Sequence, residues 1–146
     1  MEDKYYTPNL DEFHVGFEYE RCDSGYNWFK DIFPRAVKIE ELSNMLIYTR
    51  VKHLDKEDIE ECGWLYKPEG LYDSIDERER YSKYRPVFKD SELFKLGEFH
   101  LWIDNNDNTK IQIDKISGGV TTGIMRFWGI IKNKSELIKI MKMIGI

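Results

Sequence analysis

Cysteine, histidine and long apolar runs are all scarce in this 146-residue chain. The only cysteines, Cys22 and Cys62, show no C-x-x-C spacing. Both thiols are therefore expected to be reduced, in a cytoplasmic protein. No stretch approaches the roughly 20 apolar residues of a membrane span, which excludes a membrane partner. The N-terminus, MEDKYYTPNL, is acidic and lacks an apolar run, so no signal peptide is expected. No internal repeat or low-complexity tract is present.

Aromatic residues are abundant: four Trp, nine Tyr and eight Phe, 14% of the chain. They favour pleated surfaces and lean the reading toward sheet. Charged residues make up 34% and apolar residues 41%, the composition of a globular domain. The length suits one domain, 1–146, able to bury a core without staples. The formal net charge of −5 repels phosphate backbones, which argues against nucleic acid as a partner. The charge is uneven: residues 1–20 hold six acids and one base, whereas residues 132–146 hold four lysines and one acid.

Residues 13–20, FHVGFEYE, alternate strictly and predict a half-buried strand. Phe13, Val15, Phe17 and Tyr19 would face one way, and His14, Gly16, Glu18 and Glu20 the other. The turn cluster CDSG then leads into YNWFKDIF, a second strand stopped at Pro34, completing an N-terminal hairpin. Residues 38–44 suit a short helical turn, and NMLIYTRVKHL suits a strand at about 45–53. In LDKEDIEECGW, Asp55 is a good N-cap and Leu54 can pack on Ile59. Gly63 ends the helix, and Trp64 can fold back on it. Residues 65–92 read as an irregular excursion with room for one short strand. GEFHLWID, TKIQIDKI and VTTGIMRFWGII form a three-stranded antiparallel meander. Gly123 and Gly129 mark a bulge or a close approach in its last strand. At the C-terminus Asn133 and Glu136 have the spacing of a capping box, Leu137, Ile140, Met141 and Ile144 form one apolar stripe, and Gly145 ends the helix. The expected fold is α+β: a mostly antiparallel sheet, with one short helix and the C-terminal helix packed on it.

Chemistry-bearing residues are few. His14 and Glu18 would share a strand face about 13 Å apart, too far to hold one ion together. Convergence with His100, which has Glu98 and Asp104 on its face, would complete a two-His-one-carboxylate set only if the two strands paired. A polar sheet face is the simpler reading, and no metal or other cofactor is expected. No G-x-S-x-G or other nucleophile motif is present. SGGVTTG is Gly-rich but lacks the phosphate-binding lysine and precedes a strand rather than a helix. RERYSKYRP interleaves bases with tyrosines, the pattern that holds single strands, but Asp73, Asp76, Glu77 and Glu79 dilute its field. If this excursion recognises a partner, Arg80, Tyr81, Tyr84 and Arg85 are the expected contacts, because aromatics and arginine dominate binding energy.

YYTPNLDEFHVGFEYE, RVKHLDKEDIEECGW and the terminal IIKNKSELIKIMKMIGI together resemble a group of small proteins common in gut Bacteroidetes and in the phages and mobile elements of those bacteria. The resemblance spans most of the chain and is weakest at 65–92. It brings no catalytic residue or cofactor, and it implies a phage-type accessory role. The expected function is thus a non-enzymatic binding module acting through protein contacts, with a host-encoded protein as one class of partner. Binding of a nucleotide or small phosphorylated ligand ranks second, and a metal-dependent enzyme third. The number of aromatics, with Ile138 and Met143 outside the helix stripe, also predicts a homo-oligomer, by default a twofold dimer.

Overall fold

The computed structural model describes residues 4–22, 27–33, 48–68, 90–116 and 123–146. They are α+β, with two antiparallel sheets and two helices. Contacts group the chain into two compact units, Met1–His53 and Leu54–Ile146.

The first unit is a four-stranded sheet of β1 (Tyr5–Tyr6), β2 (Glu18–Cys22), β3 (Trp28–Ile32) and β4 (Thr49–Lys52), in the order β1-β4-β2-β3. The expected hairpin is β2–β3, in register from Glu18↔Ile32 to Cys22↔Trp28. Phe17, Tyr19 and Val51 form its buried core, with Tyr6, Phe13 and Phe33 packed against them. The Phe13 ring stands 5.0 Å from Phe17 and 5.4 Å from both Tyr19 and Phe33, in the tilted and edge-on geometries that ring quadrupoles favour.

The N-terminal strand is shorter than its alternation predicts. A 3₁₀ turn covers Leu10–Glu12, and β2 begins only at Glu18. Between them the Phe17 amide donates to the His14 carbonyl at 2.9 Å, closing a tight turn. Gly16 sits in that turn at φ +87°, a conformation only glycine adopts without strain. Val15 is therefore pushed out at the turn tip, 61% exposed, instead of joining Phe17 and Tyr19 inside.

The second unit is a five-stranded meander: β5 (Leu65–Lys67), β6 (Ser91–Leu96), β7 (Phe99–Asp104), β8 (Asp107–Ile116) and β9 (Gly123–Ile130), paired in chain order. The predicted three strands are β7, β8 and β9, and β5 and β6 extend the sheet on one side. Two-residue loops join β6 to β7 and β7 to β8; the first, at 97–98, falls on residues that GEFHLWID assigns to a strand, and the second lies between GEFHLWID and TKIQIDKI as the meander requires. The excursion starts and ends in this sheet, because Leu65–Lys67 pairs with Leu93–Lys95. The anticipated helical turn at 38–44, the CDSG turn beyond Cys22, the SGG turn and the interior of the excursion lie outside the described residues.

Helices α1 (Lys56–Glu61) and α2 (Lys134–Met143) contribute to the main core. There Leu54, Ile59, Trp64, Ile131 and Leu137 meet Phe94, Leu101, Ile103, Ile111 and Ile113 of the sheet, and Ile140, Met141 and Ile144 complete the helix stripe. Each helix end is specified locally. Asp55 accepts from the Asp58 amide while Asp58 accepts from the Asp55 amide, a reciprocal capping box. Asn133 accepts from the Glu136 amide, but the Glu136 carboxylate reaches one residue further back than expected, to the Lys132 amide at 2.6 Å. Both C-termini close with paired bonds: Gly63 to Glu60 and Trp64 to Ile59, then Gly145 to Lys142 and Ile146 to Met141. These are Schellman motifs, each with its glycine at positive φ. Among the described residues no helix is long and apolar enough to cross a membrane.

Candidate functional site

Of the residues singled out for metal binding, His14 and Glu18 lie in the first unit and His100 in the second. His14 lies in the turn before β2, its Nδ1 2.9 Å from the Glu12 carbonyl oxygen. Glu18 opens β2 opposite Ile32, and His100 lies on β7 in the other sheet. The strand pairing that a shared ion would require is not formed. Among the described residues no group of three His, Cys, Asp or Glu side chains is placed to hold a metal. Cys22 and Cys62 are both half-buried. The proposed contacts Arg80, Tyr81, Tyr84 and Arg85 lie outside the described residues. Gly123, the last residue of SGGVTTG, is the first of β9, and the rest of that stretch lies outside the described residues.

His100 is not on a wet face. It is 6% exposed and stands directly opposite Asp114 on β8 and Lys95 on β6. One step along the same face, Trp102 is flanked by Leu93 and Gln112, all three also buried. The Gln112 amide donates to both oxygens of Asp114, at 3.1 and 2.9 Å. Burial pushes the Asp114 carboxyl above its ordinary range, with the Gln112 bond pulling the other way. The Trp102 ring stands edge-on to His100. This row has the ingredients of acid–base chemistry, but with its His, Gln and Trp closed to solvent it works as a packed polar layer. Alternation alone could not find it, since the same pattern describes a sheet with one wet face and a sheet buried on both.

In the first unit, Arg50 bonds Glu20 through Nε at 2.6 Å across the β2–β4 pair. Its guanidinium lies 3.8 Å from the Tyr5 ring centroid and 4.1 Å from that of Trp28. Four segments distant in sequence build this clamp, and no local signal marks it. The cation is satisfied by its own neighbours, so the clamp ties all four strands of this sheet together.

The remaining distinctive surface is β9. It is an outer strand of its sheet, and among the described residues nothing pairs with its free side. Ile124, Met125, Trp128 and Ile130 are all at least half exposed along it. Arg126 has no residue directly opposite it, because β8–β9 pairing steps from Ile113↔Phe127 to Asp114↔Met125. This is a β-bulge, and it falls at Arg126 rather than at Gly123 or Gly129, the positions that the glycines mark in the sequence. Gly129 is the close approach: a Cβ there would sit 3.1 Å from the Phe127 ring. A run of exposed apolar side chains on an open strand edge is a recognised template for pairing with another chain. Comparison with family models, with curated proteins and with solved structures finds no match to this chain.

Proposed function

We propose that this chain is a binding module that acts by contacting another protein, in the accessory role that its sequence resemblance implies, and that β9 is its contact strand. The observation that carries this reading is the exposure of Ile124, Met125, Trp128 and Ile130 along one outer strand. A soluble domain gains nothing from leaving a tryptophan and three aliphatic side chains in water on an open edge, and such patches mark interaction sites. Aromatic residues at such places carry most of the binding energy.

The test is site-specific photocrosslinking in cells that express the chain. A photoreactive residue replaces Trp128, and a control places it at Lys139, exposed on α2. Protein adducts from position 128 and none from 139 are expected. No adduct at 128 would remove the reading.

A further inference from the structure

Resting on that reading, we propose that the occupant of the β9 edge is β9 of a second copy of the chain, paired antiparallel about a twofold axis through Trp128. The backbone decides which residues are available. The Ile131 amide donates to the Thr109 carbonyl on β8 at 2.8 Å. By the two-residue alternation of an antiparallel ladder, Ile130 and Trp128 turn their own N–H and C=O outward, to the free side. A twofold at an outward-pointing residue lets the two copies exchange both bonds at that position. Trp128 then meets its own copy, Phe127 stands opposite Gly129, and Arg126 stands opposite Ile130.

Charge and area both favour this occupant. Arg126 is the one charged residue of β9. In the twofold pairing it lies diagonal to Trp128 of the second copy, within reach of a cation–ring contact, and faces no opposing cation directly. Half or more of one Trp, two Ile and one Met amounts to about 400 Å² of apolar surface per copy, taking about 200 Å² for a whole tryptophan. With Arg126 and the strand backbone added, the pair approaches the roughly 1,000 Å² that a specific interface requires. The bulge at Arg126 confines regular backbone pairing to Phe127–Ile130, so Ile124 and Met125 add side-chain contact beyond it without ladder bonds, and the seam is short. The dimer is accordingly weak, with Kd of about 1–100 µM.

Sedimentation velocity on the purified full chain, from about 1 to 200 µM, tests this directly. The wild type is expected to pass from monomer to dimer across that range. Trp128→Lys, which sets two cations on the axis, and Trp128→Pro, which removes the outward N–H, are both expected to remain monomeric. Circular dichroism melts of both variants confirm that they fold. In a background with Cys22 and Cys62 replaced by serine, Trp128→Cys is expected to oxidise to a covalent dimer and Lys139→Cys is not. A wild-type monomer at 200 µM, or a dimer untouched in both folded Trp128 variants, overturns the proposal. Should position 128 crosslink in cells to a different protein while the pure chain stays monomeric, the self-pairing fails and the protein-contact reading stands.

Discussion

Arg50 and Glu20 are joined at 2.6 Å, with the guanidinium held between the rings of Tyr5 and Trp28. Both side chains of the pair are largely withdrawn from water, at 28% and 19% exposure. Removing the cation leaves a carboxylate without its partner and two rings without their filling. Arg50→Ala is therefore expected to cost about 1–3 kcal/mol. Arg50→Lys should recover only part of this, because an ammonium cannot stack as a planar fork does. Urea unfolding of the two variants beside the wild type is the measurement, and an Arg50→Lys chain as stable as the wild type would show that stacking contributes nothing.

His14 and His100 should behave oppositely. His14 belongs to a surface turn, and His14→Ala is expected to change stability by less than about 1 kcal/mol. His100 is buried among Trp102, Asp114 and Lys95, and its truncation leaves a cavity in a polar layer. His100→Ala should cost about 2 kcal/mol or more. Similar midpoints for the two variants in chemical denaturation would contradict the buried placement.

Asp114 gives a pH signature. Burial raises its folded-state value, so the folded state prefers the protonated form. Its contribution is whole below the unfolded carboxyl value and is lost as pH rises through the folded one. Asp114→Asn, which keeps an acceptor for the Gln112 amide, should match the wild type at about pH 3 and become the more stable chain toward about pH 7. Thermal melts across that range read the gap, and a gap that narrows with rising pH would be the wrong sign.

Gly63 closes α1 at φ +94°, with the Trp64 amide folded back to Ile59. Gly63→Ala is expected to cost about 1 kcal/mol, and Gly63→Asn less, since asparagine tolerates the left-handed region. Asp55→Ala, at the other end of the same helix, should cost about 1 kcal/mol through loss of the capping box. Hydrogen exchange at the α1 amides reports both.

The features legible in the sequence are those whose physics is local. Asp55, Gly63, Asn133 and Gly145 each act on a neighbour within five residues, and the turn at 105–106 needs only the residues it contains. Val15 leaves the face that alternation assigns it, because alternation cannot tell a strand from a turn that collects Phe13, Phe17 and Tyr19 into one cluster. Gly16 is the one local sign of that turn. The Arg50 clamp was invisible because its members come from positions 5, 20, 28 and 50. The burial of His100 and Gln112 was equally hidden, since period-two patterning names two faces without saying which are covered. The contacts nominated at 80–85 rested on composition, whereas β9 stands out only once the strand order makes it an outer strand.

β5 and β6 are adjacent antiparallel strands, with Lys67 opposite Leu93 and Leu65 opposite Lys95. Residues 26 positions apart in sequence are thereby held at ladder distance, so β5 pairs only after the ends of that whole stretch have met. β6, β7 and β8 are joined by two-residue loops and need no such closure. β5 is accordingly the strand of this sheet that docks late, onto a meander already in register.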